Sequence, residues 1–529
     1  MGGANVKFLG VIILFPLVGL FVLQEVILAR TSIGQFYLYI AIAALILGLV
    51  SPKKAMYAIG FCTIYIDFFK RLMVIGGNPS MLEVSYVLAI PPMLMAGSLV
   101  SIVLSLLFSR VKIAKDVYLS FILASVVAVG SMAGMIAGDA SSGLGGVGQM
   151  VNQGFYAYLV FIVPVIFPSD EERRKYLNYF FILLIPSVMY MFFQEYNGYA
   201  DFEYDYLMSG LSIEMKNLSE SGYGELRKFS TFNGSGTAST IYSIFLVMCF
   251  ISFRKDNQKA TPIQKLGKLL LAPCFILASY YTISRTGWFC GMGTLAAYVL
   301  LGSRFRSMLG IVSAVTGFGF ILAVAPTALK ENWLVTIEGE LKHAVKQVSD
   351  DPALQRSIVL GTFGDRLQGW ANLTQEPKIY TPFGFAAAGI DVAKNHGDGF
   401  KWGHDALIDS LIKFGYIPIS IALVLGAFFT YRLFNYIYSL HKKSITFKVT
   451  RLSLALAAGI LFGGMSSGAQ FRNFPQNFYF MLFVSIVYAT YQQAQRERKQ
   501  SIASSATPYI PNNSVGFPES AYPVGMARN

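Results

Sequence analysis

Residues 84–108 read VSYVLAIPPMLMAGSLVSIVLSLLF, a run of 25 residues without a charged side chain. A helix of about 20 apolar residues crosses the hydrocarbon core of a bilayer, so this run predicts a membrane-spanning helix. Backbone groups in lipid need internal partners, which leaves helices and closed barrels as the spanning structures. The run is too long and too continuous for a barrel strand, in which apolar and polar residues alternate over about ten positions.

The composition of the whole chain extends this prediction beyond one helix. Hydrophobic residues make up 54% of the 529 residues and charged residues only 13%, whereas soluble domains carry about 25% charged residues. A soluble multidomain enzyme, a disordered scaffold and a secreted disulfide protein are therefore excluded. The sequence predicts an all-α membrane protein.

Apolar runs between polar segments predict about 12–14 transmembrane helices. The fourteen candidate spans are 8–28, 35–50, 55–69, 84–108, 117–138, 150–167, 176–194, 236–253, 269–283, 288–302, 308–328, 416–438, 452–468 and 476–491. The spans at 55–69 and 269–283 are short enough to be tilted or re-entrant, which is why the expected number is a range.

Basic residues cluster in alternate loops, and cytoplasmic loops carry an excess of Lys and Arg. The clusters on one side are Lys53–Lys54, Arg110–Lys115, Arg173–Lys175, Arg254–Lys268, Arg304–Arg306 and Lys442–Arg451. We assign that side, together with both termini, to the cytoplasm. The net charge of +13 then has its origin in loop charges and does not require a nucleic-acid partner. Lys70 and Arg71 are the exception, because they fall on the opposite side.

The spans and loops divide the chain into five regions. They are N-terminal transmembrane helices with the first outer loop (1–235), central transmembrane helices (236–328), a periplasmic loop domain with short helices (329–415), C-terminal transmembrane helices (416–494) and a disordered cytoplasmic tail (495–529). A loop as long as 329–415 in a membrane protein is usually functional.

Two arginine-bearing motifs precede spans on the outer side. Residues 284–288 (Ser-Arg-Thr-Gly-Trp) form a turn between two short spans and hold Arg285 at the membrane edge. In residues 227–237, Arg227 and Lys228 are followed by small polar residues and glycines at a helix start, where backbone N–H groups point at anions. A guanidinium at either place can pair with a phosphate. The alternatives are an interfacial arginine and an ordinary helix cap with flanking charge.

Two further motifs lie in the outer loop. Arg366 and Trp370 are one helical turn apart and share a face of a helix. Residues 403–416 predict a second helix, and His404 lies at its start. A histidine there can act as a general base, because it titrates near neutrality. The alternatives are a surface helix packed on the bundle and a structural histidine.

A metal site is the competing interpretation of the loop. Its candidate ligands are Asp391, His396, Asp398, His404 and Asp405. Their spacing matches no defined motif, so we expect no metal and no cofactor. The four cysteines, Cys62, Cys249, Cys274 and Cys290, lie in apolar runs without a CxxC pair and are expected to be packing residues.

The order and side of these motifs resemble the O-antigen ligase and O-antigen polymerase family of bacterial envelope glycosyltransferases. The matching residues, within about 227–425, are Arg227, Ser284-Arg285-Thr286-Gly287, Arg366, Trp370, Pro382-Phe383-Gly384, His404-Asp405, Leu407, Ser410-Leu411 and Gly415. Two positions depart from the family pattern: Asp405 replaces an Asn, and 385–389 replaces a tighter Gly-x-Gly.

The resemblance implies a bundle like that of the C-type glycosyltransferases and metal-independent polymerisation of undecaprenyl-diphosphate-linked repeat units into O-antigen or exopolysaccharide. It implies His404, Arg285 and Arg227 as catalytic residues. The diphosphate ligands are then Arg227, Lys228, Arg285 and Arg366, and the sugar-stacking residues are Trp370, Tyr380, Phe383 and Trp402.

The same resemblance sets the expected location and partners. They are the bacterial inner membrane with a periplasmic active side, a lipid-linked glycan donor, a glycan acceptor, and a chain-length regulator with export machinery. Three alternatives stay open. A ligase would transfer the glycan to lipid A-core or to protein, and a flippase would move the lipid-linked oligosaccharide across the membrane. A structural subunit of a polysaccharide export complex would catalyse neither step.

Overall fold

The computed structural model describes residues 31–108, 118–122, 124–126, 154–209, 211, 227–251, 262–282, 284–302, 382, 411, 415–442, 444–467 and 474–505. These residues fold into helices and connecting turns, and none of the ranges contains a strand. The predicted all-α class is therefore confirmed for the described part of the chain.

The helices are named in chain order. The first six are α1 (Ser32–Val50), α2 (Pro52–Leu72), α3 (Met81–Phe108), α4 (Leu159–Ile166), α5 (Asp170–Asn197) and α6 (Asp201–Met208). Seven follow: α7 (Ser235–Phe245), α8 (Val247–Phe250), α9 (Pro262–Tyr281), α10 (Arg285–Leu300), α11 (Tyr416–Ser439), α12 (Ile445–Ser467) and α13 (Gln476–Ser505). Short 3₁₀ segments, Met73–Gly76 and Phe155–Tyr158, follow α2 and precede α4.

Four of the described helices are long and apolar enough to cross a membrane. They are Ser32–Val50, Met81–Phe108, Asp170–Asn197 and Ile445–Gly464. The two spans predicted to be short belong to longer helices, α2 with 21 residues and α9 with 20. The predicted spans 8–28 and 308–328 and almost all of the predicted loop 329–415 lie outside the described residues.

The last helix passes the predicted start of the tail. α13 continues to Ser505, so the predicted boundary between 494 and 495 falls inside a helix. Its final turns carry charged and polar residues, which continue a helix readily without apolar burial because Glu, Gln, Lys and Arg are good helix formers.

Helices α1 and α3 approach each other closely through glycines. A Cβ on Gly97 would lie 2.2 Å from the Leu45 carbonyl oxygen, and one on Gly48 would lie 2.5 Å from the Leu94 carbonyl oxygen. Small residues allow such contact between membrane helices, where van der Waals packing replaces the hydrophobic effect as the source of association. The glycines therefore set the distance between these two helices.

Aromatic rings join the centre of the bundle. Phe180 of α5 meets Tyr176 at 4.8 Å and Tyr479 of α13 at 5.2 Å, measured between ring centroids. Tyr479 also packs on Phe245 of α7 at 5.6 Å, and its hydroxyl lies 2.8 Å from the Thr63 hydroxyl of α2. One aromatic layer thus connects α2, α5, α7 and α13.

Polar contacts group at one end of the bundle, where α5 and α12 begin. Asp170 accepts hydrogen bonds from Arg173, at 2.5 Å, and from Thr446, and Arg173 also donates to Gln493 at 3.1 Å. The predicted orientation assigns this end to the cytoplasm, and we name it the inner end. The outer end is the opposite one, where α2 and α5 finish and α7, α10 and α13 begin.

The glycine contact predicts that Gly97→Ala destabilises the protein, because the new methyl group meets backbone atoms that cannot move aside. Gly267→Ala is the matched control, since a Cβ there meets nothing within 4 Å. In thermal unfolding of the detergent-purified protein, G97A is expected to lower Tm and G267A to leave it unchanged or raise it. Equal Tm values for the two variants would contradict the close packing of α1 and α3.

Candidate functional site

A buried ion pair lies at the outer end between α2 and α6. Arg71, 1% exposed, pairs through Nη1 with the carboxylate of Glu203, which has no exposed surface. The guanidinium also donates to the Ser230 carbonyl oxygen and, at 3.2 Å, to the Asp67 carbonyl oxygen. It lies over the ring of Phe229, 4.8 Å from the centroid. Arg71 thus connects α2, α6 and the segment before α7.

Gln194 completes this arrangement from the last turn of α5. Its Nε2 donates to both carboxylate oxygens of Glu203, at 2.9 and 3.1 Å. Its Oε1 accepts the backbone N–H of Ser230 at 2.7 Å. A buried charge is tolerated when it is paired and hydrogen-bonded, and here both charges have several partners.

Ser230 has a left-handed backbone conformation, with φ of 52°. That region is disfavoured for residues with a Cβ, at roughly 1–2 kcal/mol. Three hydrogen bonds hold Ser230 in this conformation. Its N–H donates to Gln194, its carbonyl oxygen accepts from Arg71, and its hydroxyl donates to the Ser187 carbonyl oxygen at 2.6 Å. The Arg71 network therefore fixes the turn between Arg227 and the start of α7.

The two predicted basic ligands of this segment differ in their environments. The Lys228 ammonium pairs with Glu195 at 2.8 Å, so most of its charge is already balanced. The Arg227 carbonyl oxygen accepts the Tyr199 hydroxyl, while its buried Nε has no hydrogen-bond partner among the described residues. Arg227 is accordingly the better candidate for an anionic ligand.

Arg285 occupies the first position of α10, with Ser284 as the N-cap. The carbonyl oxygen of Ser284 accepts the hydroxyl of Ser239 in α7 at 3.1 Å. A Cβ on Gly287 would lie 1.8 Å from that hydroxyl oxygen, so glycine is needed for the two helices to meet. The start of α7, which follows the segment of Arg227, therefore lies beside the start of α10, which begins with Arg285, at the outer end.

The remaining predicted site residues lie outside the described residues. They are Arg366, Trp370, Tyr380, Phe383, Trp402, His404 and the alternative metal ligands Asp391, His396, Asp398 and Asp405. No group of metal-ligating side chains occurs in the part of the chain that the structure describes. One described residue of the predicted loop, Pro382, contacts the start of α11: its carbonyl oxygen accepts the Ile417 N–H at 3.2 Å. Gly415, which directly precedes α11, has a φ of 79°, a conformation that favours glycine.

Sequence reasoning did not assign Arg71, Gln194 and Glu203 to this site. A signal was present, because Lys70 and Arg71 are basic residues on the side where such residues are scarce. The structure buries both, with Lys70 paired to Asp67 at 3.1 Å and Arg71 paired to Glu203. Their charges are neutralised within the protein, so they do not contradict the predicted orientation.

An open, nearly flat apolar surface lies on the outer half of α5, beside this network. It is formed by Ile185, Pro186, Met189, Tyr190 and Phe193. The ring of Tyr190 packs on Phe68 at 5.2 Å, and Phe68 lies three residues before Arg71 in α2. An apolar chain lying on this surface would end near the polar groups of the outer end.

These features define an all-α membrane protein with a rigid polar cluster at one end of its bundle. Comparisons with protein-family models, with curated proteins and with solved structures find no match for this chain. The chemistry of the site therefore rests on its own residues: the held guanidinium of Arg71, the unpaired Nε of Arg227 and the neighbouring starts of α7 and α10.

The buried pair predicts that Arg71→Met lowers the free energy of unfolding by about 3–5 kcal/mol, because Glu203 is left as an uncompensated buried charge. The double variant R71M/E203Q removes that charge and is expected to recover part of the loss. Denaturant unfolding in detergent micelles measures both effects.

The control for this prediction is Lys53→Met, which breaks an ion pair with Glu172 whose side chains are 51% and 27% exposed. Exposed pairs contribute about 0–1 kcal/mol. If R71M and K53M unfolded at the same denaturant concentration, the network would not have the stabilising role assigned to it here.

Proposed function

We propose that this protein is an inner-membrane glycosyltransferase that polymerises undecaprenyl-diphosphate-linked repeat units on its periplasmic side. The observation that supports the proposal is the placement of two predicted arginine motifs at one end of the bundle. The Arg71 network anchors the segment after Arg227, and the Ser239–Ser284 bond joins the following helix to the helix that Arg285 begins.

The proposed reaction transfers a glycan from a diphosphate oxygen of the donor to a hydroxyl oxygen of the acceptor. The acceptor hydroxyl oxygen attacks the anomeric carbon of the donor, the bond from that carbon to the diphosphate oxygen breaks, and undecaprenyl diphosphate leaves. His404 takes the acceptor proton, a step that contributes roughly 10²–10⁴ in rate when the base is positioned. Arg227 and Arg285, with Arg366, balance the charge that develops on the diphosphate.

The surroundings of the cluster fit the two halves of such a substrate. The apolar surface on α5 offers a contact for the polyprenyl chain, and its last residue, Phe193, directly precedes Gln194 and Glu195 in the last turns of that helix. Trp370, Tyr380, Phe383 and Trp402 are the proposed stacking surfaces for sugar rings, since aromatic faces pack well against apolar sugar faces. The partners follow from this: lipid-linked donor and acceptor, a chain-length regulator and export machinery.

Replacing the two arginines tests the proposal in a deletion strain complemented with variants. Arg227→Ala and Arg285→Ala are each expected to reduce polymer formation on the order of 10²–10³-fold, because a charge that stabilises the leaving group is lost. His404→Ala is expected to fall in the same range. Glycan chain length on gels is the measurement, with insertion confirmed by membrane fractionation.

Arg432→Ala is the control, because Arg432 is an exposed arginine on the inner half of α11 whose guanidinium lies over the ring of Phe428, 4.7 Å from the centroid. It should leave chain length unchanged. Wild-type polymer in inserted R227A and R285A would refute the proposal.

The phenotype of the deletion strain separates the three candidate activities. Loss of long chains with single repeat units retained identifies a polymerase. Accumulation of full-length lipid-linked polymer identifies a ligase, and accumulation of precursor on the cytoplasmic leaflet identifies a flippase.

The proposed orientation is tested by labelling single cysteines. Three native cysteines are buried and Cys274 is partly exposed, so a Cys274→Ala background is suitable. Asp201→Cys in α6 is expected to react with a membrane-impermeant maleimide in intact spheroplasts, and Lys442→Cys only after permeabilisation. Labelling in the opposite order would place the cluster in the cytoplasm and exclude a periplasmic site.

A further inference from the structure

Two tyrosines meet at the outer end, where α5 and α9 finish. Tyr196 lies in the last turn of α5 and is 78% exposed, and Tyr281 is the last residue of α9. The hydroxyl group of Tyr281 lies beside that of Tyr196, and its ring packs edge-on against Phe192, with centroids 5.6 Å apart. Because both tyrosines are at helix ends, they lie at the edge of the membrane region and not in its centre.

A partly exposed ion pair adjoins these rings. Glu195 precedes Tyr196 in α5, and its carboxylate lies 2.8 Å from the Lys228 ammonium. The Glu195 side chain is 26% exposed and that of Lys228 is 14% exposed, so both groups can be reached from outside. The same carboxylate interacts electrostatically with the Tyr281 hydroxyl. Tyr196, Tyr281, Glu195 and Lys228 therefore form one surface, which we name the tyrosine surface.

Short segments connect the tyrosine surface to both predicted arginine motifs. Lys228 directly follows Arg227 in the chain. Arg285 comes four residues after Tyr281, and the turn between them is held by the Thr282 hydroxyl, which accepts a backbone N–H of the turn at 3.3 Å. The surface therefore lies between the two segments that carry the proposed diphosphate ligands.

A sugar is the ligand chemistry that matches this surface. The faces of a sugar ring carry C–H groups, which pack on aromatic rings. Its hydroxyl groups donate to a carboxylate and accept from an ammonium group. In the proposed reaction the first sugar is bonded directly to the diphosphate, so it has to lie beside the groups that hold the diphosphate. The alternative, an interfacial belt of tyrosines, requires neither the ion pair nor the neighbouring arginines.

We propose that the tyrosine surface binds the glycan part of the lipid-linked substrate at the outer end. This inference rests on the proposed function and adds a sugar-binding surface built from α5, α9 and the segment before α7. The tyrosine rings then pack on the sugar and the ion pair bonds its hydroxyl groups, while the arginines act on the diphosphate.

The test uses full-length protein reconstituted in liposomes, with the lipid-linked repeat unit extracted from the deletion strain as the probe. Tyr196→Ala and Tyr281→Ala are each expected to raise KM for the repeat unit roughly 3–10-fold, because each removes one aromatic contact. kcat should change little, since such a contact is made in the ground state and the transition state alike.

Tyr438→Ala is the matched control. Tyr438 is also in the last turn of its helix and is 52% exposed, but it lies at the inner end, stacked on Phe434. Y438A is expected to keep the wild-type KM. If Y281A fails to insert, Tyr196→Ser provides the measurement, because a residue as exposed as Tyr196 tolerates a polar side chain. An unchanged KM in the inserted tyrosine variants, or an equal rise in Y438A, overturns the proposal and leaves an interfacial role.

A failure of the proposed function gives a different result. In that case the wild-type protein itself does not elongate the extracted repeat unit, or no repeat unit accumulates in the deletion strain. Either result overturns the sugar-binding assignment as well. A wild-type protein that elongates, combined with an unchanged KM in the tyrosine variants, overturns only the role of the tyrosine surface.

Discussion

The buried Arg71–Glu203 pair is the interaction on which the outer end of the bundle depends. A guanidinium and a carboxylate with almost no exposed surface are stable together only because Gln194, Ser230 and Asp67 supply further hydrogen bonds. Each bond joins a different part of the chain, so satisfying the charges also fixes α2, α5, α6 and the turn before α7. The turn at Ser230, three residues after Arg227, is therefore held by the bonds that pair these charges.

Close helix packing supplies the second constraint. Ser239 reaches the Ser284 carbonyl oxygen because Gly287 leaves room for it, and Ser279 bridges Ser239 and Ser243 at 3.0 and 2.8 Å. Small residues and hydroxyl groups of this kind hold membrane helices together where lipid offers no hydrophobic driving force. The starts of α7 and α10 and the end of α9 are thereby joined at the outer end.

Each end of the bundle holds a paired polar network. At the inner end Asp170, Arg173, Thr446 and Gln493 bond to one another and join α5, α12 and α13. At the outer end the Arg71–Glu203 pair is equally well bonded, and Arg227 Nε is buried without a partner in the described part of the chain. Glu171 Oε2 at the inner end is in the same state. A fixed frame is what a preorganised binding site requires, because the frame does not reorganise when charge develops.

The sequence by itself determined the membrane class, the approximate places of most described helices and the turn before Arg285, because apolar length and helix-ending residues are local properties. It did not determine the helix bounds, since α13 continues to Ser505 and not to 491, and it did not predict α6. It did not determine that Arg71 pairs with Glu203, 132 residues away, nor that α13 brings Gln476 to Thr237, 239 residues away. On the sequence alone, Glu203 belongs to the first outer loop, and Arg71 is an exception to the distribution of basic residues. Only the packing of α2, α5 and α6 decided their partners, since a charge in a low-dielectric interior takes its energy from the groups that the fold places beside it.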